Sequence, residues 1–257
     1  MKKTSLTAIL TSLGMTAAAH SATISWATPA NMHSGDPDDA SFISTNGTLV
    51  DAVNGGGITA TVNGIEFTGL TGTQTAGQNL SSGNFSFANH NDNGSAFTQA
   101  EFGGGTVGVG DLIQSGLWAV DSVTLTGLTI GNSYEVQILA NDGRGSRSDN
   151  FMVGYGDGNV TGPQVIGILN NQPDAGGDGP AGTGGTTGQH FIGTFTADAT
   201  TQSFQAFGTN SGVIANLGLG DSRAHVNAIQ LRNTTIPEPS SALLALIGLG
   251  FGLRRRR

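Results

Sequence analysis

Apolar and polar residues alternate with a period of two over several short stretches between residues 23 and 235, and none of them keeps a helical period for the length of a helix. The clearest alternation runs Ile58-Thr59-Ala60-Thr61-Val62, then Asn63-Gly64, then Ile65-Glu66-Phe67. Asn-Gly between two alternating arms predicts a hairpin closed by a type I′ turn, with Val62 facing Ile65 and Ala60 facing Phe67 on one apolar side. Alternating runs at 122–126, 134–139, 191–196, 202–207 and 224–232 predict further strands, with Gly131-Asn132 as the turn between the first two. Many short strands with Gly/Asn turns and no helical crossovers predict an all-β fold, an antiparallel β-sandwich of the jelly-roll kind. A propeller or β-helix would need an internal repeat, and the chain has none at a fixed period.

The two ends break this pattern. Lys2-Lys3, an apolar stretch over 6–19 and the small residues Ala17-Ala18-Ala19-His20-Ser21-Ala22 predict a secretory signal, with cleavage after Ala19, Ser21 or Ala22. At the other end Pro237-Glu238-Pro239 stops any preceding strand, an apolar run follows to Leu253, and Arg254, Arg255, Arg256 and Arg257 close the chain. As a helix, residues 240–253 would reach about 21 Å, short of a hydrocarbon core of about 30 Å. The four arginines resist translocation and hold their end in the cytoplasm, while bilayer thinning and snorkelling absorb the mismatch. The expected organisation is a signal peptide at 1–22, one sandwich domain at 23–235 with a mobile Gly-rich loop near 170–189, and a C-terminal tail at 236–257.

Composition supports strands and restricts partners. Gly accounts for 42 of 257 residues and charged residues for only 11% of the chain, which favours short strands and turns over helices. Six of the ten basic residues lie in the two end segments. Residues 23–235 therefore hold 17 carboxylates (18 less Glu238) against 4 arginines, a balance of −13. Such a surface repels nucleic acid and leaves cations and uncharged polymers as partners. With no cysteine, disulfides, thiolate metal sites and Cys nucleophiles are excluded together.

The tail resembles the PEP-CTERM sorting segment of Gram-negative bacteria in its Pro237-Glu238-Pro239 motif, its short apolar helix and its terminal arginines. That resemblance implies recognition of Pro237, Glu238 and Pro239 by exosortase, a membrane-embedded peptidase or transpeptidase. It also implies retention by Arg254 to Arg257, and release or transfer to the cell surface or extracellular space after a transient stay in the inner membrane. The general secretion machinery would be the other partner. The body resembles exported proteins of planctomycete and verrucomicrobial genomes that carry the same tail. The shared pieces are Gly127-Leu-Thr-Ile-Gly131-Asn-Ser-Tyr134-Glu-Val-Gln-Ile-Leu, Asn141-Asp142-Gly-Arg144, Gly156-Asp157-Gly158, Gly193-Thr-Phe-Thr-Ala-Asp198 and Asn227-Ala-Ile-Gln-Leu-Arg232. It implies a galactose-binding-type or related jelly roll without an assigned activity.

Chemistry-bearing residues concentrate after the Tyr134 run. Asp142, Arg144, Arg147 and Asp149, followed by Tyr155, offer guanidinium forks, carboxylate acceptors and an aromatic face, the components of a sugar site, with Trp118 as a second stacking surface. The competing reading is a hairpin loop in which Asp142 pairs with Arg144 or Arg147 and Asp157-Gly158 makes the next turn. Asn89-His-Asn91-Asp-Asn93-Gly94 ending at Glu101 approaches a calcium loop but starts on Asn and has one residue too many before its Glu. Asp36-Pro-Asp38-Asp39 is a second oxygen-rich cluster, so structural calcium is the one cofactor to weigh. His33, His90, His190 and His225 lack zinc spacing, and His225 is expected to pack beside Asn227, Ile229 and Leu231 as a structural residue. Glu66 and Glu135 sit opposite the apolar positions of their runs and are expected to face solvent. The readings weighed are a non-catalytic envelope or matrix protein that binds polysaccharide, an exported polysaccharide hydrolase, and a purely structural surface protein.

Overall fold

The computed structural model describes residues 22–32, 40–70, 78–90, 108–113, 116–141, 152–156, 164–168, 188–209 and 224–236. Strands dominate them. β1 (Ser25–Trp26), β2 (Ala30–Asn31), β3 (Thr48–Asn54), β4 (Ala60–Val62), β5 (Ile65–Gly69), β6 (Gln78–Ser82) and β7 (Phe85–His90) precede the one short helix among them, α1 (Val109–Ile113). There follow β8 (Leu117–Val120), β9 (Ser122–Leu125), β10 (Ser133–Ala140), β11 (Met152–Gly156), β12 (Gln164–Ile168), β13 (Gln189–Thr196), β14 (Gln202–Thr209), β15 (Ala224–Val226) and β16 (Ala228–Asn233).

The strands form two main sheets. The larger runs β1-β13-β10-β16-β3-β5-β4, with β2 also on β13; the smaller runs β12-β11-β14-β9-β7-β6; and β8 and β15 make a two-stranded ribbon. Pairing is antiparallel except between β3 and β5. The hairpin forms as the alternation requires: Val62 pairs Ile65, Ala60 pairs Phe67, and Asn63 (φ 51°) and Gly64 (φ 74°) take the left-handed conformation of a type I′ turn. Its first arm is shorter than the pattern suggests, because Ile58 and Thr59 precede β4 and Ile58 is exposed. The run 224–232 divides at Asn227 into β15 and β16.

The core lies between the two sheets. Val53, Val136, Ile138, Phe191, Ile229 and Leu231 of the larger sheet meet Phe85, Phe87, Val123, Val153, Tyr155 and Phe204 of the smaller one. Each such side chain contributes about 1.5–3 kcal/mol on burial, so this layer is the main source of stability. Successive strands also change sheet: β9 lies in the smaller and β10 in the larger, β10 in the larger and β11 in the smaller. The hairpins expected at Gly131-Asn132 and across 142–151 are therefore crossovers between sheets, the arrangement that closes a sandwich.

The outer face of the larger sheet is covered as well. Val109, Leu112 and Ile113 of α1 pack with Ala60, Val62, Ile65, Phe67 and Ala52 in a second apolar cluster. Three asparagines fasten this helix. Asn54 Nδ2 donates to Asp111 O at 2.9 Å, and Asn227 Nδ2 and Asn141 Nδ2 donate to Ile113 O at 3.0 and 3.3 Å. The rest of the face is crossed by residues 40–47, which lie over β10 and β16.

Candidate functional site

That crossing segment rests on a buried polar network. Period two places Glu135 and Gln137 of β10, Gln230 and Arg232 of β16 and His190 of β13 on the face away from the main core. Gln137 Nε2 donates to Phe42 O (2.6 Å) and meets His190 Nδ1 (3.3 Å), while its Oε1 accepts from Ser44 N (2.9 Å) and Gln230 Nε2 (2.6 Å). Glu135 accepts from Ser44 Oγ and from Asn46 Nδ2, the latter at 2.9 Å. Arg232 donates to Asn46 O (2.5 Å), Gly47 O (3.3 Å) and Gln230 Oε1 (3.1 Å). Burial pulls the Arg232 guanidinium pKa down and the Glu135 carboxylate works against that shift. Glu135 is thus buried rather than solvent-facing, because residues 40–47 cover a face that strand alternation alone would leave open. Gln137, Gln230 and Arg232 were not anticipated as a unit; their only trace in sequence is uncharged or basic polar residues alternating with core positions.

The sugar-site candidates are distributed differently from expectation. Tyr155 is fully buried, its hydroxyl donating to His225 O and its ring packed on Phe191 (centroids 4.9 Å apart), Trp26 (6.1 Å) and Phe204 (6.2 Å). Burial raises its pKa well above the usual phenol value. The residue is a core anchor with no face to offer a sugar, which corrects the stacking role. The sequence misleads here because the Gly- and Asp-rich composition that follows Tyr155, Gly156-Asp157-Gly158, suggests an exposed turn. Trp118 keeps part of its surface exposed, on the ribbon where it pairs with His225. His225 itself is fully buried, as expected of a structural histidine. The ribbon carries a register shift at Ala224/His225, and Ala119 next to Trp118 has φ 57°, a left-handed conformation rare for a residue with a side chain.

Asp142, Arg144, Arg147 and Asp149 lie outside the described residues. The segment that carries them leaves from Asn141, whose N–H donates to Asn227 Oδ1 at 2.7 Å, and Asn227 follows directly on β15. It therefore starts beside the end of the ribbon that bears Trp118. Asp36, Asp38, Asp39, residues 91–101 and most of 170–189 also lie outside the described residues, apart from the entry into β13 at Gly188 and Gln189. Among the described residues no group of three or more His, Asp or Glu is arranged to hold a metal.

The second candidate site is the exit of the C-terminal tail. β16 occupies the middle of the larger sheet, between β10 and β3, and its end is tied down. Thr234 N donates to Ser133 O (2.8 Å), Ser133 N to Thr235 Oγ1 (2.8 Å) and Thr235 N to Asn233 Oδ1 (2.9 Å). Gly47, at φ 62°, lies so close under the Asn233 carbonyl that a Cβ there would collide with it. These hydrogen bonds reach Thr235, and Ile236 is 85% exposed. Pro237, Glu238, Pro239 and Arg254 to Arg257 lie beyond the described residues. No helix among the described residues is long and apolar enough to cross a membrane.

Comparison with known proteins bears on the two sites unequally. No curated protein matches the chain. Among solved structures, it is similar to Bacteroides uniformis beta-glucuronidase 2 covalently bound to cyclophellitol-6-carboxylate aziridine, at 14% identity and TM-score 0.43, over 71% of this chain and 17% of that one. A calcium binding mutant of the same enzyme matches at 14% identity and TM-score 0.41, over 71% and 18%. The chain spans under a fifth of those enzymes, and likeness at this level establishes neither activity nor substrate. The tail is another matter: residues 235–257 match the PEP-CTERM protein-sorting motif, so the segment that begins where the sandwich ends is an exosortase sorting signal.

Proposed function

We propose that the chain is an exported cell-envelope or extracellular-matrix protein, led out by an N-terminal signal peptide and delivered by exosortase as a complete, non-catalytic sandwich. The observation that carries this reading is the abutment of body and signal. Thr235, the last hydrogen-bonded residue among those described, is also the first residue of the sorting motif, so a cut near Pro237-Glu238-Pro239 leaves every described strand and core side chain in place. Glu135 is covered by residues 40–47 and bonded to Ser44 and Asn46, which supports a structural role for that carboxylate. Intact-mass and fractionation analysis of the native protein in its own cells tests the proposal. It should find a species that starts near Ala22, ends near Pro237 and lies outside the inner membrane. A species that keeps Arg254 to Arg257 in the inner membrane would instead make the tail a permanent anchor.

Within that reading the body holds matrix polysaccharide through Trp118 and the segment bearing Asp142, Arg144, Arg147 and Asp149. The partly exposed Trp118 side chain on a strained ribbon, beside the point where that segment departs, supports the assignment. Trp118→Ala and the double variant Arg144→Ala/Arg147→Ala should each lower retention on the producer's own polysaccharide. Unchanged retention in both would remove the ligand and leave a structural surface protein.

A further inference from the structure

The end of the sandwich from which the tail departs differs from the rest of the molecule. Five large apolar side chains are exposed among the described residues: Leu49 (36%), Val50 (37%), Ile58 (41%), Ile130 (61%) and Ile236 (85%). Four of them gather at this end. Leu49 pairs with Arg232 in the last part of β16, one step from the Thr48–Asn233 pair, and Val50 follows it. Ile130 tops the turn closed by Asn132 N to Thr129 O (3.1 Å), and Ser133 just after it bonds Thr235, next to Ile236. Ile58 is the exception. Its carbonyl accepts from Asn54 Nδ2 at the opposite end of β3.

Charge is thin at the same place. Segments 46–50, 127–133, 196–201 and 233–236 meet here through Gly131 N to Ala197 O (2.7 Å), Leu128 N to Thr200 O (3.0 Å) and Thr234 N to Ser133 O (2.8 Å). Together they contain one ionisable side chain, Asp198, which accepts from Ala22 N at 3.1 Å. The other ionisable groups at this end are turned inward: Glu135 and Arg232 are buried against Asn46 and Gly47, and Asp51 is turned onto Asn84 N (2.6 Å) and Ala52 N (2.9 Å). On a body whose balance is −13, an end of Thr, Gly, Asn and exposed Ile approaches lipid with a small electrostatic and desolvation cost.

The tether decides how near it comes. Five residues, 236–240, separate Thr235 from the apolar run, and two of them are proline. Fully extended they reach about 18 Å, comparable to the headgroup layer and a little water. We propose that this end of the sandwich is a membrane-docking surface. While the tail is inserted, Ile130, Ile236 and the Leu49-Val50 edge rest in the lipid interface and hold the sorting motif at headgroup level, where a bilayer-embedded peptidase can take it.

This rests on the tail reading, and the test separates the two. Because the chain has no cysteine, Ile130→Cys, Leu49→Cys and Ile58→Cys each give one site for an environment-sensitive fluorophore. The signal-processed, tail-bearing chain is reconstituted in phosphatidylethanolamine/phosphatidylglycerol vesicles, and flotation reports tail insertion. The expected result is flotation with a blue shift and quenching by brominated acyl chains at 130 and 49 and neither at 58. A chain that floats while all three labels stay in water overturns the docking surface and leaves the sorting signal intact. A chain that does not float overturns both. Labels that leave water only when exosortase is co-reconstituted would assign the surface to the peptidase and overturn the lipid contact.

Discussion

Removing the Gln137 side chain should be among the most damaging single changes outside the main core. In Gln137→Ala two backbone groups beneath the crossing segment lose their partners: Phe42 O, now held at 2.6 Å, and Ser44 N, at 2.9 Å. Gln230 keeps its bond to Ser44 O at 3.1 Å and so is not left wholly unsatisfied. An orphaned buried polar group costs about 1–3 kcal/mol, and two of them plus the void left by the amide predict a loss of about 3–4 kcal/mol. Against a total of about 5–15 kcal/mol this is a large fraction. The loss has a ceiling, since residues 40–47 can lift and let water satisfy both groups once that costs less than holding them dry.

Two assays read the outcome on the purified mature protein. Urea unfolding followed by Trp26 fluorescence gives the global loss, and amide exchange at Ser44 shows whether the segment has lifted. Trp26 is a fair reporter because it packs on Phe204 (5.4 Å) and Tyr155 inside the core. A fall in stability with faster exchange at Ser44 supports the argument. A variant within about 1 kcal/mol of the parent, with Ser44 protection unchanged, would show that the network contributes no more than a surface contact and would refute the reasoning.

Other consequences are simpler to check. Burial under Phe42 lowers the His190 pKa, so the unfolded chain takes up the proton first; stability should fall as pH drops through about 6.5 and level off only below the depressed folded value, with a shallower slope in His190→Gln measured by urea melts across pH. Gly193→Ala would set a methyl 2.6 Å from Ile24 Cγ2 and 3.0 Å from the Trp26 ring, so thermal melts should show a loss of about 1–3 kcal/mol and a shifted Trp emission. Gly64→Ala meets no atom within 4 Å and should cost only the left-handed strain of the turn, about 1 kcal/mol by the same melts.

Periodicity carried the sandwich. It located β5, β9, β10, β13 and β14 and the full pairing of the β4–β5 hairpin, since those strands bury one face and turn the other to something polar. It failed where the residues did not alternate or the strand was short. β3 begins with three exposed residues and ends with three buried ones, so it shows no alternation to read. β8 is too brief to stand out, and β11 and β12 are brief and Gly-interrupted. The larger errors have one physical source. Alternation tells which residues share a face, and only tertiary cover tells whether that face is wet. Glu135 and Tyr155 were both misread for that reason, the first beneath residues 40–47 and the second beneath Trp26 and His225. The tail was legible because its features are topological and local, a motif, an apolar run and a basic end in fixed order.

The position of β16 in the larger sheet sets an order of events during export. It is the last of the described strands, yet in their order it joins β1-β13-β10 to β3-β5-β4, and its residues pair with partners made almost the whole length of the body earlier. Pairings of such long sequence separation are slow and cannot begin until both partners have emerged. The sheet therefore stays in two halves until the C-terminal strand has crossed the membrane, and by then the tail, a few residues behind, is already in the translocation path. On the export route proposed above, arrest of the tail and closure of the sheet are nearly simultaneous. A chain cut short before β16 would lack the strand that joins the two halves of its larger sheet, so a chain that has presented its sorting signal also carries that strand.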